Sequence, residues 1–533
     1  MLNSAGRFWI VFLVLLSATF ASFDRPADAG LGLDAQKARL AEGKELFTRE
    51  WLPGDKRSHA GDGLGPVFNG RSCAECHMLG GVGGAGPRGV NDSIASAFLT
   101  RVLTEADVRM LAAELEATLK AERAREQTGK PAEIDPALRR ATSNDEPTFK
   151  QPDRAKLAEV HPALRNESSF PLHRFSRVEG FDKWKHEKVR ISSGGFGGLG
   201  FGGGFGGSGG FMGHKPVELK VSFITSERNT PPLFGAGLID RIPDQVLKDL
   251  ALKQAMAAAA LPAPRIGDQK TVREVGCFPG IVEGPIPISG RVAMLKNGKI
   301  GRFGWKCSVA TLHEFTLLAC SSEIGLEVPG FPRAVPAWIK DYKAPGIDLT
   351  AQQCDSLVQF VASLPRPIVR APQTAQHAAE ADAGKKLFNR IGCAVCHRSK
   401  LGDVDGLYSD LLLHDMGQSL SGAGAYITNV EVAKTDGAVD SIPAANGFVP
   451  NSTKEAPPMF GATPREWRTP PLWGVRDSGP YLHDGCAETI GEAISLHGGE
   501  GLLAARAYAD LNTRERLQLE IFLQSLAAPP SQP

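Results

Sequence analysis

Apolar positions divide this chain before any chemistry is considered. Phe8 to Phe20 is an almost unbroken apolar run behind Arg7. It reads as the core of a secretory leader, with Thr19-Phe20-Ala21 and Ala27-Asp28-Ala29 as cleavage sites, so residues 1–29 are assigned to a signal peptide. The run is too short to span a bilayer comfortably. Further on the spacing turns helical. Gly43-Lys44-Glu45-Leu46-Phe47 and Gly384-Lys385-Lys386-Leu387-Phe388 each place apolar residues beside charged ones, as on an amphipathic helix. The stretches ending Phe360-Val361-Ala362-Ser363-Leu364 and Phe522-Leu523-Gln524-Ser525-Leu526 predict two more helices. Thr350 caps the first, and Asn512 or Thr513 the second.

These segments occur twice in the same order. Asp348 and Phe360 stand at one constant offset from Asp510 and Phe522. Asn229-Thr230-Pro231-Pro232-Leu233-Phe234-Gly235 mirrors Arg468-Thr469-Pro470-Pro471-Leu472-Trp473-Gly474, and the double Pro makes both segments extended or turning. Each copy also holds Cys-x-x-Cys-His: Cys73-Ala-Glu-Cys76-His77 and Cys393-Ala-Val-Cys396-His397. That spacing attaches a c-type haem, with two thiols to the vinyl groups and the imidazole to the iron. A zinc site would need both motifs to converge on one ion.

The repeat predicts a mainly α fold of two cytochrome c-like haem domains with long loops and insertions. The first spans residues 30–370 and the second 376–533. The first copy is enlarged at Trp51 to Gly70, at a charged, helix-prone stretch from Thr104 to Arg140, and at a Gly-rich stretch from Ser192 to Gly213. The Gly-rich stretch buries too little surface to offset its ordering entropy and reads as a flexible loop.

Composition adds little. The 533 residues are 42% hydrophobic and 22% charged, and a net charge of +1 gives no reason to expect nucleic acid or an anionic membrane as partner. Export would allow disulfides among Cys277, Cys307, Cys320, Cys354 and Cys486, but small buried hydrophobes are the simpler reading for most of them.

Several segments resemble the bacterial di-haem oxidoreductase family, whose members carry labels such as peroxidase and "thiol oxidoreductase". They are Gly65-Pro66-Val67-Phe68-Asn69-Gly70-Arg71-Ser72-Cys73, Gly301-Arg302-Phe303-Gly304-Trp305-Lys306, Tyr408 to Gly417, and the two Pro-Pro segments. The resemblance extends to di-haem cytochrome c peroxidases. It implies two covalently attached c-type haems and an oxidoreductase acting on hydrogen peroxide, dioxygen or a small organic substrate. It also implies a small redox protein as electron donor or acceptor. Related peroxidases bind calcium between their domains, but no residues here are assigned to it. In those relatives a Met lies fourteen residues after the His of a Tyr-Phe-His-Asp-Gly motif and ligates the second haem. Here the motif is Tyr481-Leu482-His483-Asp484-Gly485, and the ligand position holds His497. The expectation is His397/His497 ligation, with Met416 and His414 as competitors. His414 could instead hydrogen-bond a propionate, and His483 is expected close to the ligands or in structural packing. Trp305 takes the place of a Trp that assists electron transfer between the haems, and Phe315 that of a distal Gln. Glu323 corresponds to the distal acid, with His313 and Glu314 as alternatives. Nothing in the sequence supplies a sixth ligand for the first haem, so that site should be open. Three readings follow: a peroxidase-like enzyme, an electron carrier without turnover, and an oxygenase acting on an organic substrate with dioxygen. Family association adds a redox role in iron acquisition, which no residue here tests.

Overall fold

The computed structural model describes residues 32–90, 92–101, 154–165, 169–189, 219–260, 287–422 and 461–530. The expected signal peptide, the 104–140 stretch, the Gly-rich 192–213 stretch and Cys277 lie outside the described residues.

Two helix pairs carry the repeat. In the first half α1 (Leu33–Thr48) packs on α3 (Ala351–Ser363), and in the second α4 (Ala375–Arg390) packs on α6 (Thr513–Gln524). Both crossings turn on a buried glycine. Gly43 meets the Ser356 carbonyl and Phe360; Gly384 meets the Gln518 carbonyl and Phe522. A methyl at either position would overlap backbone, so only Gly lets the axes approach this closely. One turn later Phe47 meets Phe360 and Phe388 meets Phe522, both with ring centroids 5.4 Å apart.

The caps follow the sequence pattern. Thr350 forms a capping box with Gln353, and Asn512 forms one with Glu515, which leaves Thr513 as the first helical residue. The two Pro-Pro segments each end in a left-handed glycine, Gly235 (φ 71°) and Gly474 (φ 78°), and each then enters a short helical turn. Trp473 packs where a side chain on Gly235 would sit and joins the core of the first half, while α4 and α6 enclose a core of their own.

One feature departs from the mainly α expectation. Strand β1 (Asp92–Arg101) lies between β2 (Ser169–Leu172) and β3 (Leu219–Arg228) in an antiparallel sheet. Its face packs Ala95, Phe170, Trp184 and Phe223 into a separate small core. Ile94, Ala95 and Ser96 are all buried, so β1 lacks the in–out alternation by which a strand is recognised. Among the described residues no helix is long and apolar enough to cross a membrane.

Candidate haem sites

In the N-terminal site Cys73–Cys76 forms a single turn, with the Ser72 hydroxyl accepting from the Glu75 N–H at 3.1 Å. His77 follows directly, and its Nδ1 lies 3.0 Å from the Gly84 carbonyl. A carbonyl only accepts, so Nδ1 carries the proton and the Nε2 lone pair is left for a metal. Burial pushes the His77 pKa down to about 4, which keeps the ring neutral.

Cys73, Cys76 and His77 open onto a cavity. Phe47, Pro231, Leu233, Ile324 and Val361 give it an apolar wall, and Trp305, Phe315, Glu323 and Asp92 also line it. Two thiols, a neutral imidazole and an apolar wall are the donor set and surroundings that a covalently held porphyrin would need. Among the described lining residues His77 is the one histidine, and there is no methionine.

Glu323 reaches this cavity because of a local irregularity. Helix α2 (Leu312–Ala319) runs into a π-helical turn, Cys320–Ile324, closed by Gly325 at φ 72°. Such turns re-aim side chains and recur at functional sites. Glu323 Oε2 accepts from Asn69 Nδ2 at 2.6 Å, and Oε1 from the Ser322 hydroxyl at 3.0 Å. The same Asn69 Nδ2 also donates to Asp92 Oδ1 at 3.0 Å. Burial, and then the Glu323 charge, hold the Asp92 carboxyl well above the usual carboxylate range. Phe315 stacks on Phe303 with ring centroids 5.6 Å apart. The alternatives to Glu323 are not in the cavity. His313 is 3.9 Å from Asp355, and Glu314 pairs with Lys299 at 3.2 Å. Both stand on the outward face of α2, whose inward face buries Leu312, Thr316 and Leu317.

The C-terminal site repeats the proximal half. His397 Nδ1 donates to the Tyr408 carbonyl at 3.0 Å. Phe388 stands 6.4 Å from the His397 ring, as Phe47 stands 6.3 Å from His77. Here, however, a second imidazole faces the first. His497, just after α5 (Ile490–Ser495), donates from Nδ1 to the Ala493 carbonyl at 2.7 Å. The His397 and His497 ring centroids are 6.5 Å apart. Two imidazoles on opposite sides of one ion, with metal–nitrogen bonds of about 2 Å, would have centroids about 6.4 Å apart. Burial lowers both pKa values, His397 to about 4. Both rings therefore stay neutral with Nε2 free to ligate.

Met416 lies beside this pair, because the Met416 methyl and the His497 ring both border Gly501. His414 is different. Its Nε2 is 2.9 Å from Asp410 and its Nδ1 2.6 Å from Glu500, so neither nitrogen is left for iron. Burial opposes its protonation, but the Asp410 carboxylate outweighs that and holds its pKa well above the ordinary imidazole value. An imidazolium is not a ligand, and its N–H groups are committed to carboxylates rather than to a propionate.

Trp305 connects the halves. Its indole N–H donates to the Asn229 carbonyl at 2.7 Å, and the Asn229 N–H donates to the His483 carbonyl at 2.6 Å. The His483 ring is buried and stacks on Trp467 at 3.7 Å, so it packs rather than ligates. Lys306 lies 3.4 Å over the Trp467 ring and donates to three carbonyls. Asp92 gave no signal in the sequence, and Asn69, Lys306 and Trp467 stand in the family-like segments without an assigned role. Cys307, Cys320 and Cys354 are buried free thiols, and Cys486 is an exposed one.

Residues 451–526 match the family described as "Di-haem oxidoreductase, putative peroxidase". Hydrazine synthase subunit gamma of Kuenenia stuttgartiensis is 30% identical over 139 residues, covering 24% of this chain and 38% of that protein. The methylamine utilization protein MauG of Methylorubrum extorquens is 29% identical over 160 residues, covering 29% of this chain and 36% of that protein. The chain thus spans well under half the length of either relative. Among solved structures, a MauG-like protein associated with microbial copper homeostasis covers 54% of this chain and 90% of its own at 15% identity, with a TM-score of 0.26. A hydrazine synthase structure of Kuenenia stuttgartiensis covers 34% of this chain and 57% of its own at 20% identity, with a TM-score of 0.23. The chain is a relative of the peroxidase-like di-haem oxidoreductases, and the family match rests on its C-terminal segment.

Proposed function

We propose that this chain is an exported c-type oxidoreductase with two unlike haem sites, reacting with peroxide at the N-terminal site and storing electrons at the C-terminal one. The observation that carries this reading is the contrast between one imidazole facing a cavity and two imidazoles 6.5 Å apart. Cys73 and Cys76 would hold one haem and Cys393 and Cys396 the other, with His77 as the single protein ligand in the first and His397 with His497 in the second. When bound, the haems supply one-electron iron chemistry.

The chain's own residues set the rest. His77, held by the Gly84 carbonyl, leaves the opposite side of the cavity to substrate. Glu323 stands in that cavity to take a proton from one peroxide oxygen and return it to the other, which favours uneven cleavage of the O–O bond. Phe315 and Phe303 keep water from part of the wall. Trp305, tied to the second half through Asn229 and His483, is positioned to relay an electron between the sites. A small redox protein would supply that electron. A pure electron carrier needs a ligand closing the first site, and the described lining offers none.

Electron paramagnetic resonance of the oxidised holoprotein, with haem counted, tests this directly. Two haems with one high-spin and one low-spin signal are expected. Two low-spin signals that persist after one-electron reduction would leave no reaction site and make the carrier the correct reading.

A further inference from the structure

Two carboxyl groups meet in the N-terminal cavity with one neutral amide between them. Asn69 Oδ1 accepts from the Arg174 backbone N–H at 2.9 Å, which fixes the orientation of the amide. Its NH₂ group must therefore face the acids, and both Asp92 Oδ1 (3.0 Å) and Glu323 Oε2 (2.6 Å) accept from it. Groups bridged by one nitrogen lie close enough to interact strongly, and two like charges at that distance do not both persist. The two groups differ in their donors. Glu323 accepts at both oxygens, from Asn69 and Ser322, while Asp92 meets Asn69 through Oδ1. Asp92 begins β1, directly opposite Arg228 in the register with β3.

We infer that Asp92 is the proton-holding partner of Glu323: it keeps one proton between the two carboxyl groups and passes it through Glu323 to an oxygen in the cavity. The proton leaves Asp92 and reaches a Glu323 oxygen. Glu323 releases it to a substrate oxygen, and Asp92 remains as a carboxylate until solvent reprotonates it. No electron moves in these steps. The destination of the proton rests on the reading of the cavity as a reaction site; the pairing itself does not. The charged or titratable groups whose charges act on the pair are Arg174, Arg228, His173, His77 and Cys76. Burial and proximity place the pair in the same state whichever substrate enters.

Difference infrared spectra of the holoprotein between acid and neutral pH read the proton directly. Asp92→Asn is close in shape and keeps an N–H to donate, so the fold and haem content should hold. The wild type should show the C=O band of a protonated carboxyl at neutral pH, and that band should vanish in D92N. In Glu323→Gln it should titrate at lower pH, because the neighbouring negative charge is gone. A neutral-pH band absent from the wild type, or unchanged in D92N, overturns the assignment. None of this needs turnover, so it fails separately from the peroxidase reading. Where peroxide is turned over, D92N should lower kcat about tenfold with KM unchanged. The D92N/E323Q double variant should lose no more than E323Q alone, and additive losses would overturn a shared proton.

Discussion

The two repeated modules are built on the same helix pair and differ in what faces the motif histidine. On the proximal side they agree closely. Gly43 and Gly384 seat the same crossing, Phe47 and Phe388 flank the same imidazole, and a carbonyl fixes the same Nδ1–H tautomer in both. On the distal side they diverge. Thr311 and Thr489 cap corresponding helices in the same way, each accepting from a Glu N–H three residues on. The second helix is short and ends so that His497 turns back toward His397. The first continues through a π turn and delivers Glu323 to a cavity instead. One repeated scaffold thus presents different side chains across from the motif histidine, through the length and winding of one helix.

The largest test of that contrast is removal of His497. In His497→Ala the low-spin signal should be lost and a second high-spin signal gained, so that both modules behave as the first now does. Electron paramagnetic resonance of the oxidised protein would show it. A low-spin signal that survives this change but disappears in Met416→Ala would assign the ligand to Met416.

The shared half of the comparison is tested at its glycines. Gly43→Ala and Gly384→Ala would each gain up to about 1 kcal/mol of helix propensity. Each would also push a methyl into a facing backbone carbonyl, where overpacking costs about 1–3 kcal/mol. The overlap should win, because neither the Ser356 nor the Gln518 carbonyl can move without its helix. Thermal unfolding should therefore drop by several degrees in both variants. Loss in one variant only would show that the two crossings are not equivalent.

The smallest effect belongs to the small core beside the three-stranded sheet, which among the described residues only the first module carries. His161 stacks on Phe170 with centroids 4.2 Å apart and accepts from the Ala163 N–H at 3.2 Å. Burial holds its pKa down to about 3. The unfolded chain takes up a proton near the ordinary imidazole value of about 6.5, where the folded one does not. Stability is thus full above that value and falls as pH drops toward 3. Denaturant unfolding of wild type and His161→Phe across this range should show the variant losing less.

Much of this was legible in the chain, and each part for a physical reason. Cys-x-x-Cys-His is a local motif, because one rigid macrocycle must be met by neighbouring atoms. The helix pair was readable because Gly, Phe and the capping residues repeat at one offset. His497 was found by counting from His483 along continuous chain. His414 was read as a possible ligand because sequence shows a histidine but not the two carboxylates, Asp410 and Glu500, that occupy its nitrogens. The sheet was missed because β1 is buried on both faces and its partners enter from distant segments.

The sequence alone determined the two Cys-x-x-Cys-His motifs and the repeated segments that carry them. Those properties depend on residues close together in the chain. Tertiary structure decided what stands across each cavity. Asn69 precedes the first motif, Asp92 opens a strand, and Glu323 ends a helix; only folding brings one amide within hydrogen-bond reach of both acids. A proton can be shared only across a few ångströms of space, and that distance is set by packing rather than by position along the chain.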